Sequence, residues 1–267
     1  MLLSVLQANA VVLDVDANLE TIDSAAQRAA AAGSALLLTP ELFPVGYAPL
    51  RLHSEFDPAA LPGIRQRLAG IARTRGIGLV YSLPAPAADG GWHISATLLD
   101  AHGAVLLDYN KVHLFGGEER NAFSAAQVAP AVVDFNGIKT SLLICYDVEF
   151  PETVRAAATR GAELVLVPTA LSKGFESVPQ VLIRARALES QVNVAYANHS
   201  GHEEGCDFLG GSVIAGPDGA LLAAAGNGPA LLFAGIGTDT VRAAREEVPY
   251  LRDRRSELYG EWENLSQ

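Results

Sequence analysis

Short apolar, β-prone runs alternate with helix-like segments along most of this chain, and that alternation limits the folds open to it more than any other feature. Leu2–Ala8, Ala35–Thr39, Ile77–Leu83, Lys139–Cys145, Glu163–Pro168 and Val192–Asn198 read as strands. Between them, residues 18–32 are alanine-rich and stop at Gly33, a residue suited to the position just past a helix end. Residues 58–76 carry Leu61, Ile64, Leu68 and Ile71 at helical spacing, and residues 151–160 and 179–191 read as further helices. Such an order predicts an α/β fold with helices covering buried sheet faces. Residues 95–100 and 105–108 flank "AHGA", and residues 211–215 and 220–225 flank "GPDG". Both read as hairpins, so the sheets are expected to be mixed. No linker or repeat interrupts the pattern, and residues 1–267 are read as one domain. The tail after Thr238 is charged, has no strand pattern after Val241, and reads as a surface extension or a partner-binding arm.

Composition excludes several classes of function. The formal net charge is −11, against the basic surface that nucleic acid or an anionic membrane calls for. Two cysteines, Cys145 and Cys206, make no disulfide framework and suit a reducing cytoplasm. "MLLSVLQANAVVLDVDANLE" has no basic leader and runs into acids, so it reads as a first strand and not as a signal peptide. No apolar run is long enough to span a membrane.

Three stretches carry residues out of keeping with their surroundings. In "TPELFPVGY" the carboxylate of Glu41 follows the apolar run 35–38, where an uncompensated acid is costly. In "DYNKVHLFGGEER" Lys111 sits in an apolar, β-prone stretch before a Gly-Gly turn. In "SLLICYDVEFPE" Cys145 ends a strand a few residues before a helix start at Pro151-Glu152. Taken singly, each has a plain explanation: a surface carboxylate, a solvated strand-edge lysine, and a small buried hydrophobe. A strand–turn–helix junction, however, exposes a side chain and directs backbone N–H groups towards it, as at the nucleophile elbow of serine hydrolases. Those N–H groups and a nearby cation are expected to lower the thiol pKa from about 8.5. Together the three residues predict covalent catalysis. Cys145 is the nucleophile, a carboxylate takes its proton, and Lys111 stabilises the oxyanion with the backbone N–H of Tyr146. Lys111 would also be the cation that makes a buried Glu41 tolerable.

At these stretches the chain resembles the nitrilase superfamily, the carbon–nitrogen hydrolases. The matching residues are Pro40-Glu41 with Gly46-Tyr47, then Lys111-Val112-His113-Leu114-Phe115, then Cys145-Tyr146-Asp147 with Phe150-Pro151-Glu152. Downstream, "RARALESQVNVAYAN" and "FLGGSVIAGPDG" resemble two more family segments, with Ser190 in place of the usual Asn. The resemblance implies a four-layer α-β-β-α sandwich that dimerises through helices, no metal and no organic cofactor. It also implies a second glutamate between the Lys and Cys motifs. Glu119, eight residues after Lys111, is the preferred candidate, and Glu118 is the alternative.

Cys-Tyr-Asp at the nucleophile resembles the amidase branches, whereas nitrilases proper usually carry Cys-Trp-Glu. Carboxylate-binding branches often place an Arg in the loop after the nucleophile; here that loop is Val148-Glu149, and an acid would repel anionic substrates. The resemblance therefore implies hydrolysis of small neutral aliphatic or amino-acid amides. N-carbamoyl or omega-amide hydrolysis is the alternative, and a non-catalytic subunit of the same fold ranks well below, since all three residues are present. Tyr47, Tyr146 and Phe175 are candidate pocket-lining residues, against the plainer reading of core aromatics. Asp147 and Arg155 are expected to pair near the elbow, and Cys206 to be a bystander. "HSGHEEGC", residues 199–206, has the residue types of a zinc site, but its glycines favour a turn-rich active-site loop. Cys145→Ala should abolish turnover, by on the order of a million-fold, while Cys206→Ala leaves it nearly unchanged. Steady-state assay of both purified variants checks this, and equal inactivation would refute the assignment.

Overall fold

The computed structural model describes residues 1–264. The first half runs β1 (Leu2–Gln7), α1 (Val15–Ala31), β2 (Leu36–Leu38), α2 (Pro49–Glu55), α3 (Leu61–Arg75), β3 (Gly78–Pro86), β4 (Trp92–Leu99), β5 (Val105–Asn110) and α4 (Gly116–Ala122). The second half runs β6 (Val132–Phe135), β7 (Ile138–Leu142), α5 (Pro151–Thr159), β8 (Leu164–Thr169), α6 (Ile183–Ser190), β9 (Asn193–Asn198), β10 (Ser200–Glu203), β11 (Cys206–Leu209), β12 (Val213–Ala215), β13 (Leu221–Ala224), β14 (Ala230–Gly235), α7 (Thr238–Glu247), α8 (Tyr250–Asp253) and α9 (Ser256–Asn264).

The local chemistry of these elements is orderly. Asp14 caps α1, its side chain accepting the Ala17 N–H at 3.0 Å, and Arg28 sits in the last turn against the helix dipole. Helix α3 buries Leu61, Ile64, Leu68 and Ala72 along one face and ends at Gly76 in the left-handed conformation. Strands β2, β8 and β9 are buried along their whole length, as expected of strands covered on both faces.

Two six-stranded sheets result, ordered β14-β1-β2-β3-β4-β5 and β13-β12-β9-β8-β7-β6. Each is parallel at its centre and antiparallel at its edges, so both are mixed. They face each other, β1 meeting β9, β2 and β3 meeting β8, and β4 and β5 meeting β7. Helices α1 and α3 cover the outside of the first sheet, and α5 and α6 cover the second. This is the expected four-layer α-β-β-α sandwich. β2, β5, β7, β8 and β9 all deliver their C-terminal ends to one place, where Glu41 N–H donates to the Thr169 carbonyl at 3.2 Å and ties the two sheets together.

Several elements differ from the sequence reading. The tail after Thr238 is helical, as α7 to α9, with Val241 buried; residues 265–267 of that tail lie outside the described residues. Its charges sit on one side of short amphipathic helices, a pattern that a search for strands passes over. The segment read as a turn-rich loop at 199–206 is mostly the hairpin β10–β11. Strand β14, which pairs antiparallel with β1, and strand β6 carry too few residues of clear alternation to stand out. Residues 178–182 form a π-helical turn leading into α6, so that helix begins later than its sequence pattern suggests.

One glycine holds the Glu41 loop in place. Gly46 has φ +78°, and a Cβ there would lie 2.6 Å from the Val12 backbone. Gly46→Ala should therefore destabilise the fold by roughly 1–3 kcal/mol, read as a fall in Tm of several degrees. An unchanged Tm would show that the loop can move away from Val12 freely.

Candidate active site

Cys145 stands at the end of the β7 run with φ +45°, a left-handed backbone that a non-glycine residue adopts only where the surroundings impose it. A single 3-10 turn, Cys145–Glu149, leads into α5 at Pro151. Asp147 braces this turn. It accepts the Tyr109 hydroxyl at 2.9 Å and the His113 N–H at 2.8 Å, and its Oδ1 lies 2.9 Å from His113 Nδ1. The expected Asp147–Arg155 pair is not formed: Arg155 faces Glu189 instead, at 3.4 Å, because Asp147 points inward to β5 and α5 carries Arg155 outward. Asp147 thus joins the elbow to the segment that carries Lys111.

Lys111 is wholly buried just past β5, where its N–H donates to Ile94 and its carbonyl accepts from Ala126, both at 2.9 Å. Its ammonium donates to Glu41 Oε1 at 2.7 Å and to Glu119 Oε1 at 2.7 Å. Two of three ammonium protons are so placed, and one is free for a third acceptor. Glu119 is buried and Glu118 exposed, so the second glutamate at the lysine is Glu119. Glu119 also accepts the Tyr47 hydroxyl at 2.6 Å and the Phe115 N–H at 2.7 Å.

Burial and charge set the protonation states. Burial pushes the Glu41 carboxyl up to about 7, with Lys111 opposing and Glu119 adding to the rise. Burial alone would drive the Lys111 ammonium down, but Glu41 and Glu119 outweigh it and hold the amine charged, above the usual lysine range. The Cys145 thiol is raised well above its ordinary value, by burial first and then by Glu41, against the lowering effects of Lys111 and the Ala170 N–H. This overturns the expectation of a depressed thiol pKa: the one cation is already shared by two carboxylates. The resting thiol keeps its proton and needs a base. Glu41 Oε2 accepts no hydrogen bond from the protein, and the Cys145 thiol is close enough to act on the titration of Glu41.

Tyr146 and Phe175 lie in one aromatic cluster with Phe115 between them, at ring separations of 5.2 and 5.8 Å. Phe175 and Phe115 are both largely exposed, which suits a pocket rim. Tyr47 sits apart, holding Glu119 and packing edge-on against Phe208. Sequence reasoning missed Phe115 as a rim residue, and it missed His199 and Glu203. Both ring nitrogens of His199 are engaged, one 2.6 Å from Glu203 and the other 2.6 Å from the Glu41 carbonyl, which leaves neither for a metal. Among the described residues no cluster of three potential metal ligands converges. Cys206 lines a cleft with Tyr47, Glu118, Lys173 and Asp207.

A profile of the carbon-nitrogen hydrolase family matches residues 2–246, and the chain belongs to that family. The fold is accordingly that of a nitrilase-superfamily hydrolase. Among solved structures, the NitN amidase of Nesterenkonia sp. AN1 superposes with a TM-score of 0.92 at 48% identity, covering 98% of this chain and 99% of that one. A cysteine-to-alanine mutant of that amidase has been solved with butyramide, at a TM-score of 0.91 and 48% identity over 98% of this chain and 97% of that one. Among curated proteins, a hydrolase encoded 5′ of pqqF in Pseudomonas protegens is 42% identical over 92% of this chain and 86% of its own length. An (R)-stereoselective amidase of a Pseudomonas species is 36% identical over 73% and 70%.

Lys111→Met would leave Glu41 and Glu119 facing each other without a cation. Turnover should fall about 10²–10³-fold, and stability by about 3–5 kcal/mol. Activity and thermal melts measured together check this; unchanged turnover would remove Lys111 from the reaction.

Proposed function

We propose that the chain is a cysteine-dependent amidase that converts small neutral amides to carboxylic acids and ammonia. The observation that carries this reading is the buried lysine held between two carboxylates, with one proton free, beside a buried thiol on a strained elbow. Cys145 Sγ attacks the amide carbon while Glu41 takes the thiol proton. The oxyanion is met by the free Lys111 proton and the Tyr146 N–H. Glu41 then gives its proton to the departing nitrogen, the C–N bond breaks, and ammonia leaves a thioester on Cys145. Water attacks the thioester as Glu41 accepts its proton, and that proton returns to the thiolate as the acid leaves. A carboxyl pKa of about 7 suits a group that must both take and give a proton near neutral pH. Glu119, held by the Tyr47 hydroxyl, keeps Lys111 oriented throughout, and Tyr146 and Phe175 shape the pocket around the acyl chain.

The preference for neutral substrates rests on Glu149. Arg155 is taken by Glu189, and among the described residues Glu149 forms no ion pair. Its carboxyl is half-buried and raised by burial, while Arg186 and Lys111 pull it down. The influence of Lys111 supports a position within reach of the site. The solved complex of a similar amidase with butyramide, a neutral amide, points the same way.

We further read the chain as one catalytic domain acting in the cytoplasm as a homodimer. Among the described residues no helix is long and apolar enough to cross a membrane. Leu188 on α6 and Tyr250 in the tail leave apolar surface exposed on the side of α5 and α6, which suits a helical dimer face.

Two unit charges roughly 10 Å apart at an effective dielectric near 20 repel by about 1.7 kcal/mol. Propionamide should therefore exceed succinamic acid in kcat/KM by at least about tenfold at pH 8 and low ionic strength, with the gap narrowing in salt. A preference for succinamic acid would move the chain to the omega-amide hydrolases, and equal rates would place Glu149 out of reach.

A further inference from the structure

Behind the catalytic cluster lies a second buried charge pair. His199, just past β9, is wholly buried, and Glu203, at the end of β10, is 3% exposed. His199 Nδ1 lies 2.6 Å from Glu203 Oε1, and Nε2 lies 2.6 Å from the main-chain carbonyl oxygen of Glu41. A carbonyl oxygen has no proton to give. Glu203 is already accepting, from the Ala10 N–H on Oε1 and from the Tyr47 N–H on Oε2, each at 3.0 Å. A neutral imidazole carries one N–H and one lone pair, so it would set a lone pair against an oxygen at one of these short contacts. Only the imidazolium donates to both.

The pair reaches both residues that hold Lys111, Glu41 through its main chain and Glu119 through Tyr47. His199 grips the main chain of Glu41. Glu203 grips the main chain of Tyr47, whose hydroxyl donates to Glu119 at 2.6 Å. The ring is enclosed by aromatic neighbours, Phe43 at 5.4 Å, Phe208 at 4.8 Å and Tyr47 at 6.5 Å between centroids. The titratable groups around it are Glu203 on its own hairpin, Glu41 and Tyr47 from the loop after β2, and Cys206 on β11 beyond Glu203.

We propose that His199, as an imidazolium donating from both ring nitrogens, and Glu203 form a positioning pair that sets Glu41 and, through Tyr47, Glu119 in register on Lys111. The kinetic part of this proposal rests on the amidase reading above; the protonation state of His199 does not. Burial lowers the affinity of the ring for its second proton, but the charge and hydrogen bond of Glu203 outweigh this and hold it above the ordinary histidine value. A raised value means that the stabilisation is complete below about pH 6.5 and is lost as pH rises through the folded-state value. The pair is thus lost on the alkaline side of the ordinary histidine range, as pH rises through the raised folded-state value.

Two variants separate the contacts. Asn places its amide nitrogen near the Nδ1 position, keeping the bond to Glu203 and losing the one to Glu41; Gln places it near Nε2, keeping the bond to Glu41 and losing the charge. The first measurement is made on the wild-type enzyme with ¹⁵N-labelled histidine, the His199 signals being assigned by their through-space contacts with the Phe43 and Phe208 rings. Both ring nitrogens should show imidazolium shifts at pH 7 with two slowly exchanging N–H protons. A neutral tautomer would overturn the proposal, and this readout stands whether or not either variant folds. The second measurement is hydrolysis of propionamide across pH. His199→Asn should lose up to about a hundredfold in kcat with KM little changed, as expected of a displaced reacting group. His199→Gln should recover most of that loss while its acid limb moves to higher pH, since Glu41 has lost a nearby cation. Variants that match the wild type in both rate and acid limb would also overturn the proposal. Wild-type enzyme inert towards propionamide would count against the amidase reading alone, and the nitrogen shifts would still decide the state of His199.

Discussion

The Lys111 ammonium, sealed between Glu41 and Glu119, is the interaction on which the rest of the structure turns. A lone buried ammonium or carboxylate is too costly to keep ionised, and each of these three side chains is almost entirely inaccessible to solvent. They are tolerable only as a set. Each must therefore be delivered by a rigid element to within hydrogen-bond reach of the others. The architecture meets that demand by bringing the ends of strands from two facing sheets to one point. Glu41 comes from the end of β2 and Lys111 from the end of β5 in one sheet; Cys145 comes from the end of β7 in the other.

The same cluster explains why the cysteine is not a pre-formed thiolate. The local features of the elbow favour the anion, but the cation that could stabilise it is already shared by two carboxylates, and burial acts against any further charge. Proton transfer must then accompany attack. In the proposed reaction Glu41 receives that proton, and its carboxyl is held at about 7 by the balance of burial against Lys111. Reactivity here belongs to the set of groups and not to the thiol alone.

Support for the cluster extends outward in layers. Asp147 ties the nucleophile turn to Tyr109 and His113 beside Lys111. His199 and Glu203 tie the Glu41 loop to the hairpin β10–β11 and to the segment after β1 through Ala10. Gly46 lets that loop pass close against Val12. Such contacts carry no chemistry themselves, but they fix the main-chain positions of reacting groups, where a misplacement of about 1 Å can cost roughly a hundredfold in rate.

Much of this was legible in the linear sequence, because the signals are local. The alternation of apolar strands and amphipathic helices declared an α/β fold with mixed sheets, and the odd placement of Glu41, Lys111 and Cys145 in apolar stretches singled out the candidates. Burial of Glu119 in preference to Glu118 depends on which face of the short helix α4 turns inward, and only packing decides that. The Asp147–Arg155 pairing failed for a similar reason: neighbours in sequence point to opposite sides of the elbow. The raised thiol pKa depends on Glu41, 104 positions before Cys145, and one of the two contacts of His199 is to the Glu41 carbonyl, 158 positions away. Sequence alone thus determined the kinds of element and the kinds of reactive group. The tertiary structure decided which charges share one dry site, and hence which protons are held and which can move, because electrostatic energy depends on separation in space and on exclusion of water, neither of which is written along the chain.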